Sequence, residues 1–174
     1  MQRVIGITGW KNSGKTTLTE RLVAELTWRG WTVSTVKHAH HGFDIDRPGT
    51  DSHRHREAGA REVAIVSGRR WTLMHELLHE EEPPLETILA KLSPCDIILV
   101  EGYKREKHKK IEARRLDALE HTPLSASDSG VIAVAADHAL PGESLPVFDL
   151  NDIPAIADFV EAVTALSAPK SRGD

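Results

Sequence analysis

The sequence predicts an α/β fold in three layers, a mostly parallel sheet flanked by helices. Three observations predict it. Short apolar runs alternate with amphipathic helical stretches, the pattern of βαβ units. The first run, VIGIT, leads through a glycine-rich loop into a helix. A later run, DIILVE, carries four consecutive apolar residues, which marks a strand covered on both faces.

The elements follow in order. RVIGIT, 3–8, is the first strand. Residues 15–29 form a helix with Leu18, Leu22, Val23 and Leu26 on one face, stopped by Gly30. TVSTVK, 32–37, is the second strand. Residues 38–51, with Gly42, Pro48 and Gly49, read as a loop, and Ser52 or Asp51 is the expected cap of a short helix after it. EVAIVS, 62–67, and RWTLM, 70–74, pair as a hairpin through Gly68, an extension to the sheet. PPLETILAKL, 83–92, is a helix led by prolines, and DIILVE, 96–101, a central strand. Lys and Arg dominate 103–115, and within it KIEAR, 110–114, reads as a candidate edge strand. VIAVAA, 131–136, is a buried strand and LPVFDL, 145–150, a short one. A final helix starts near Asn151 or Asp152, with Pro154 in its first turn and Ile153, Ile156, Val160 and Val163 on one face. No linker or repeat interrupts the chain, so 1–166 is expected as a single domain and 167–174 as a disordered tail.

Composition narrows the classes. The 174 residues suffice for one sizeable core, and 40% hydrophobic with 28% charged residues is the balance of a globular chain. A formal net charge of −4 argues against long-range attraction to nucleic acid or an anionic membrane. One cysteine, Cys95, allows neither an intrachain disulfide nor a multi-thiolate zinc site. No apolar run approaches the roughly 20 residues that span a bilayer, and the N-terminus has no signal-peptide core, so a reducing cytoplasm is expected.

The loop after the first strand carries the chemistry. Gly9-Trp10-Lys11-Asn12-Ser13-Gly14-Lys15-Thr16 satisfies G-x-x-x-x-G-K-[ST] at every specified position, with a strand before it and a helix behind it. Such a P-loop turns backbone N–H groups, including those around Gly9, Asn12, Ser13 and Gly14, toward a phosphate chain at a helix N-terminus. Lys15 is expected to reach the β- and γ-phosphates and Thr16 to ligate Mg²⁺, with Thr17 behind them. Some P-loop proteins place a further lysine directly after the first glycine to act across a dimer. Trp10 holds that place here, and Lys11, one residue later, reads as a solvated loop lysine.

A P-loop needs an acid beside Mg²⁺, usually at the end of an apolar strand. Glu101, after Ile97–Val100 and before Gly102, fits that role, and with Lys15 makes the candidate catalytic pair. Asp96 opens the same strand and falls at the opposite edge of the sheet. No N-K-x-D occurs. Asp137, ending the 131–136 strand, is either the acceptor for a guanine edge or a turn-forming aspartate.

Five of the ten histidines, His38, His40, His41, His53 and His55, fall between 38 and 55, among Asp44, Asp46 and Asp51. They follow a strand, at the sheet edge where ligands bind in open α/β folds. Imidazoles suit zinc or nickel. Alternatively His and Arg hold an anionic substrate while an aspartate, with Asp51 assigned to that duty, helps hold Mg²⁺. A solvated polar loop is the third reading.

Three segments together resemble the molybdopterin-guanine dinucleotide biosynthesis protein B family: GWKNSGKTTL, the run KHAHHGFDIDRPGTDSHRHREAGA at 37–60, and LVEGYKREKHKKIE at 99–112. The resemblance implies a P-loop GTPase-like fold, a homodimer, and GTP·Mg²⁺ binding with weak hydrolysis. It implies an adaptor beside the nucleotidyltransferase that joins GMP to molybdopterin, not the transferase itself. By match to the motif, Gly14, Lys15, Thr16 and Thr17 carry over as nucleotide contacts and Glu101 as the Mg²⁺-side acid. The histidine and aspartate run carries over as a site without individual roles. One departure is Lys109, where a proline is expected before KIE; it bears on the conformation of 104–110.

The expectation is therefore a GTP-binding adaptor with weak GTPase activity in molybdenum cofactor synthesis, with molybdopterin as a further ligand. No water-positioning glutamine or arginine finger is evident, which suits slow turnover. Two rivals stand beside it. A small-metabolite kinase would use 104–115 as a basic lid, and a GTPase metallochaperone would use the histidine loop. A pure interaction module fits poorly with an intact motif.

Overall fold

A computed structural model describes residues 2–39 and 42–167. His40, His41 and the 168–174 portion of the expected tail lie outside the described residues. The chain divides into two compact units, one running to His38 and resuming at Leu85, the other spanning Ala39–Pro84.

The first unit is built on a six-stranded sheet of β1 (Val4–Thr8), β2 (Val33–Lys37), β5 (Ile97–Glu101), β6 (Lys110–Arg114), β7 (Val131–Ala136) and β8 (Val147–Asp149), in the order β2-β5-β1-β6-β7-β8. All five pairings are parallel. Side chains alternate across a strand, so its two faces build two cores. Ile5, Ile7, Ile97, Leu99, Ile111 and Ala133 point to one face, where α1 (Lys15–Trp28) and α4 (Ile153–Thr164) lie. Ile98, Val100 and Val36 point to the other, against Leu85 and Leu89 of α3 (Leu85–Lys91). This is the expected three-layer arrangement.

Helix α1 buries Leu18, Leu22 and Leu26 at helical spacing. Arg29, just past its end, bonds Glu25 at 2.9 Å and Asp158 of α4 at 2.5 Å, tying the two helices together. Helix α4 buries Ile153, Ile156 and Val160 and is capped by the Asp152 carboxylate, which accepts from Ala155 N. Helix α3 begins after both prolines, at Leu85, where residues 83–92 were expected to be helical.

The strand at 110–114 corrects its expected place. KIEAR is not an edge strand: β6 pairs with β1 on one side and β7 on the other. Its charges misdirect because each is paired inside. Lys110, fully buried, bonds Asp128 at 2.9 Å and the Glu106 carbonyl. Glu112, 1% exposed, accepts from Arg114 and from the backbone N–H groups of Leu124 and Ser125. Lys109, in the place of the expected proline, sends its ammonium to the Val163 carbonyl at 3.0 Å, while its own carbonyl accepts from Gly6 N.

In the second unit α2 (Asp51–Glu57) precedes an antiparallel hairpin of β3 (Glu62–Val66) and β4 (Trp71–His75). The N-cap is Thr50, one residue before the expected Asp51 or Ser52. The Thr50 hydroxyl donates to the Arg47 carbonyl, and Asp51 takes the first helical position, where its charge faces the positive end of the dipole. Arg56 binds Asp44, Asp46 and Glu76 at 2.7, 3.2 and 2.9 Å. Among the described residues no helix is long and apolar enough to cross a membrane.

Candidate functional site

Register assembles the site at the carboxyl ends of the strands. Glu101 pairs with Ile7 of β1 and with Lys37 of β2, so the ends of β5 and β2 stand beside the start of the phosphate loop. The loop follows Thr8 directly. Gly9 has φ 145°, and a Cβ there would meet the Ala113 carbonyl at 2.5 Å. Gly14 has φ 88° and forms the N-cap of α1. Each conformation strains any residue with a side chain. Asn12, also left-handed at φ 65°, completes the turn. No side chain caps α1 and no acid lies in its first turn, so its leading N–H groups remain available to an anion. The Ser13 and Thr8 hydroxyls are buried beneath the loop without a partner among the described residues.

Three ammonium groups converge here. Lys15 donates to the Trp10 carbonyl at 2.6 Å. Its pKa is lowered, first by burial and then by Lys104 and Lys37, with Glu101 opposing. Lys104 stands 3.9 Å over the Trp10 ring and is itself lowered by burial. Clustered positive charge of this kind is relieved by an anion. Lys37 Nζ lies 3.0 Å from Glu101 Oε1 and 3.4 Å from Thr16 Oγ1, and Thr16 donates to the same carboxylate oxygen at 2.8 Å. Thr16 and Glu101 are hard oxygen donors side by side and already hold a cation, the Lys37 ammonium. They therefore fit Mg²⁺.

A cleft of about 210 Å³ opens beside the loop, lined by Gly14, Thr17, Leu18, Arg21, Arg115, Asp137, Leu150 and Asn151. Asp137 serves the turn and the cleft together. It accepts from Leu116 N, Arg115 Nε and His138 Nδ1, and the His138 hydrogen bond is the leading reason its carboxyl stays below the usual range.

The structure brings Lys15, Thr16 and Glu101 together, with Gly9, Asn12, Ser13 and Gly14 forming the cradle and Thr17 and Asp137 on the adjoining cleft. Lys11 is exposed on the loop. Asp51 belongs to the second unit, on α2, as do His53 and His55. His38 directly follows β2 and packs its ring 4.7 Å from that of Tyr103. Asp44 and Asp46 are engaged by Arg56. Among the described residues no three His, Cys, Asp or Glu side chains group to hold a metal. Sequence reasoning missed Lys37, Lys104 and Arg115. The signal for Lys37 is its place as the last residue of a strand, which gains meaning only once β2 is known to adjoin β5.

A family model described as Molybdopterin guanine dinucleotide synthesis protein B matches residues 4–137. The chain belongs to this family. The resemblance carried by the three sequence segments is thereby borne out. The Molybdopterin-guanine dinucleotide biosynthesis adapter protein of Escherichia coli (strain K12) is 40% identical over 160 residues, 90% of each chain. The Haemophilus influenzae protein of the same name is 40% identical over 161 residues, 91% of this chain and 87% of that one. The crystal structure of a MobB protein homolog from Bacillus stearothermophilus superposes with a TM-score of 0.66 at 32% identity, covering 92% of this chain and 99% of that one.

Proposed function

We propose that the chain is a GTP-binding adaptor in the assembly of molybdopterin guanine dinucleotide, working beside the nucleotidyltransferase that attaches GMP to molybdopterin. The observation that carries the nucleotide part is the contact of Thr16 with Glu101 at the mouth of the phosphate loop, with Lys15, Lys37 and Lys104 around it. Residues 9–14 and the N-terminus of α1 hold the phosphates. Thr16 and Glu101 hold Mg²⁺, which when bound screens the triphosphate. Asp137 and Arg115 offer an acceptor and a donor to the base from the adjoining cleft.

Turnover is slow in this reading. The lysines stabilise bound triphosphate, but among the described residues of the phosphate site neither a glutamine to orient water nor an arginine finger is in place, and such an arginine contributes about 10³–10⁵ in rate. A homodimer in the cytoplasm belongs to the same reading. It is supported by the outer face of the hairpin, where Val66, Trp71 and Leu73 are 76%, 70% and 49% exposed.

The test is reconstitution. Nucleotidyltransferase, molybdopterin and GTP·Mg²⁺ are assayed for dinucleotide formation with and without the chain. Stimulation by the wild type and none by Lys15→Ala is the expected result. No stimulation, or equal stimulation by the variant, refutes the proposal.

A further inference from the structure

The hydrogen bonds around Glu101 have a fixed polarity. The Thr16 hydroxyl spends its proton on Glu101 Oε1, so its lone pairs face the Lys37 ammonium, which reaches both oxygens. Those are the same lone pairs that an oxygen-loving divalent cation uses. The two sides of the contact differ in freedom. The Glu101 side chain is 10% exposed and held at the end of β5, whereas that of Lys37 is 59% exposed on a flexible stem. The carboxylate is thus a fixed negative charge beside the phosphate loop, and the ammonium over it is movable.

We propose that Lys37 is an internal counter-cation for the metal side of the site: it neutralises Glu101 and keeps Thr16 and Glu101 together until a divalent cation arriving with the nucleotide takes those two oxygens. This rests on the nucleotide-binding reading above and adds to it a positioning residue and a consequence. Without Lys37, the Glu101 carboxylate opposes a triphosphate unless Mg²⁺ is present. With it, metal-free nucleotide is tolerated. Lys37 therefore sets how strongly nucleotide affinity depends on Mg²⁺, a property that a lysine serving only as a phosphate contact would not control.

The experiment is calorimetric titration of GTP into the full chain, in Mg²⁺ and in EDTA, for wild type, Lys37→Met, Lys37→Arg and the double variant Lys37→Met/Glu101→Gln. The quantity read is the ratio of Kd in EDTA to Kd in Mg²⁺. Lys37→Met is expected to raise that ratio about tenfold, the loss of one partly screened charge pair. Lys37→Arg keeps the ratio near wild type. The double variant brings it back down, because the charge that needed neutralising is gone. An unchanged ratio in Lys37→Met overturns the inference, whether both constants move together or neither moves. So does a double variant as Mg²⁺-dependent as Lys37→Met. Wild type that binds no GTP in Mg²⁺ overturns this inference and the nucleotide reading together, which separates the two failures.

Discussion

His108 should make the fold lose stability in mild acid. Its half-buried ring lies on the bare Cα of Gly6, so close that a Cβ there would stand 2.4 Å from Nε2. Both ring nitrogens are buried without a partner among the described residues. Burial first, then the Lys110 ammonium, pushes its pKa down to about 4, against the opposing pull of Asp128 and Glu86. In the unfolded chain the ring titrates near 6.5. Between those values the unfolded state binds the proton and the folded state does not. The neutral ring's contribution is therefore whole above pH 6.5 and shrinks as pH falls toward 4. At pH 5 the full difference corresponds to about 2 kcal/mol, and partial exposure of the ring reduces this to about 1 kcal/mol. The perturbation is His108→Leu, which fills the same space without titrating. Urea unfolding, followed by circular dichroism at pH 7.5 and pH 5.0, should show wild type losing about 1 kcal/mol more than the variant across that interval. Parallel losses in the two proteins would refute the reasoning.

Glu112→Ala should destabilise the interior of the sheet. It strips a part-buried Arg114 of one partner and two backbone N–H groups of their acceptor, a loss of about 3 kcal/mol measurable by urea unfolding; a change under about 1 kcal/mol would contradict the network around Glu112. On the hairpin, Trp71→Glu should turn the proposed dimer into a monomer in size-exclusion chromatography with light scattering; wild type that runs as a monomer at every concentration contradicts that proposal. Lys37→Met, described above, should raise the Mg²⁺ dependence of GTP affinity about tenfold.

Local signals in the sequence were legible because they depend on spacing alone. The glycine-rich loop, α1 and the apolar strands occupy their expected stretches, since glycine positions and periodicities of 2 and 3.6 are read one segment at a time. KIEAR reads as an edge strand because Lys110, Glu112 and Arg114 look solvated until Asp128, Glu143 and the Leu124–Ser125 backbone are known to surround them. Thr50 caps α2 although Asp51 and Ser52, stronger capping types by propensity, directly follow it. Of the site, Lys15, Thr16 and Glu101 could be named from motif and strand context. Lys37 and Lys104 could not, since their closeness depends on strand order and on a loop that folds back over Trp10.

The central claim is that the loop at residues 9–17 holds GTP with Mg²⁺ through Lys15. Titrating GTP and ATP into wild type and Lys15→Ala, in Mg²⁺, tests it most directly. The account predicts saturable one-site binding by wild type, preference for GTP over ATP, and loss of binding in the variant. Normal GTP binding by Lys15→Ala would contradict it.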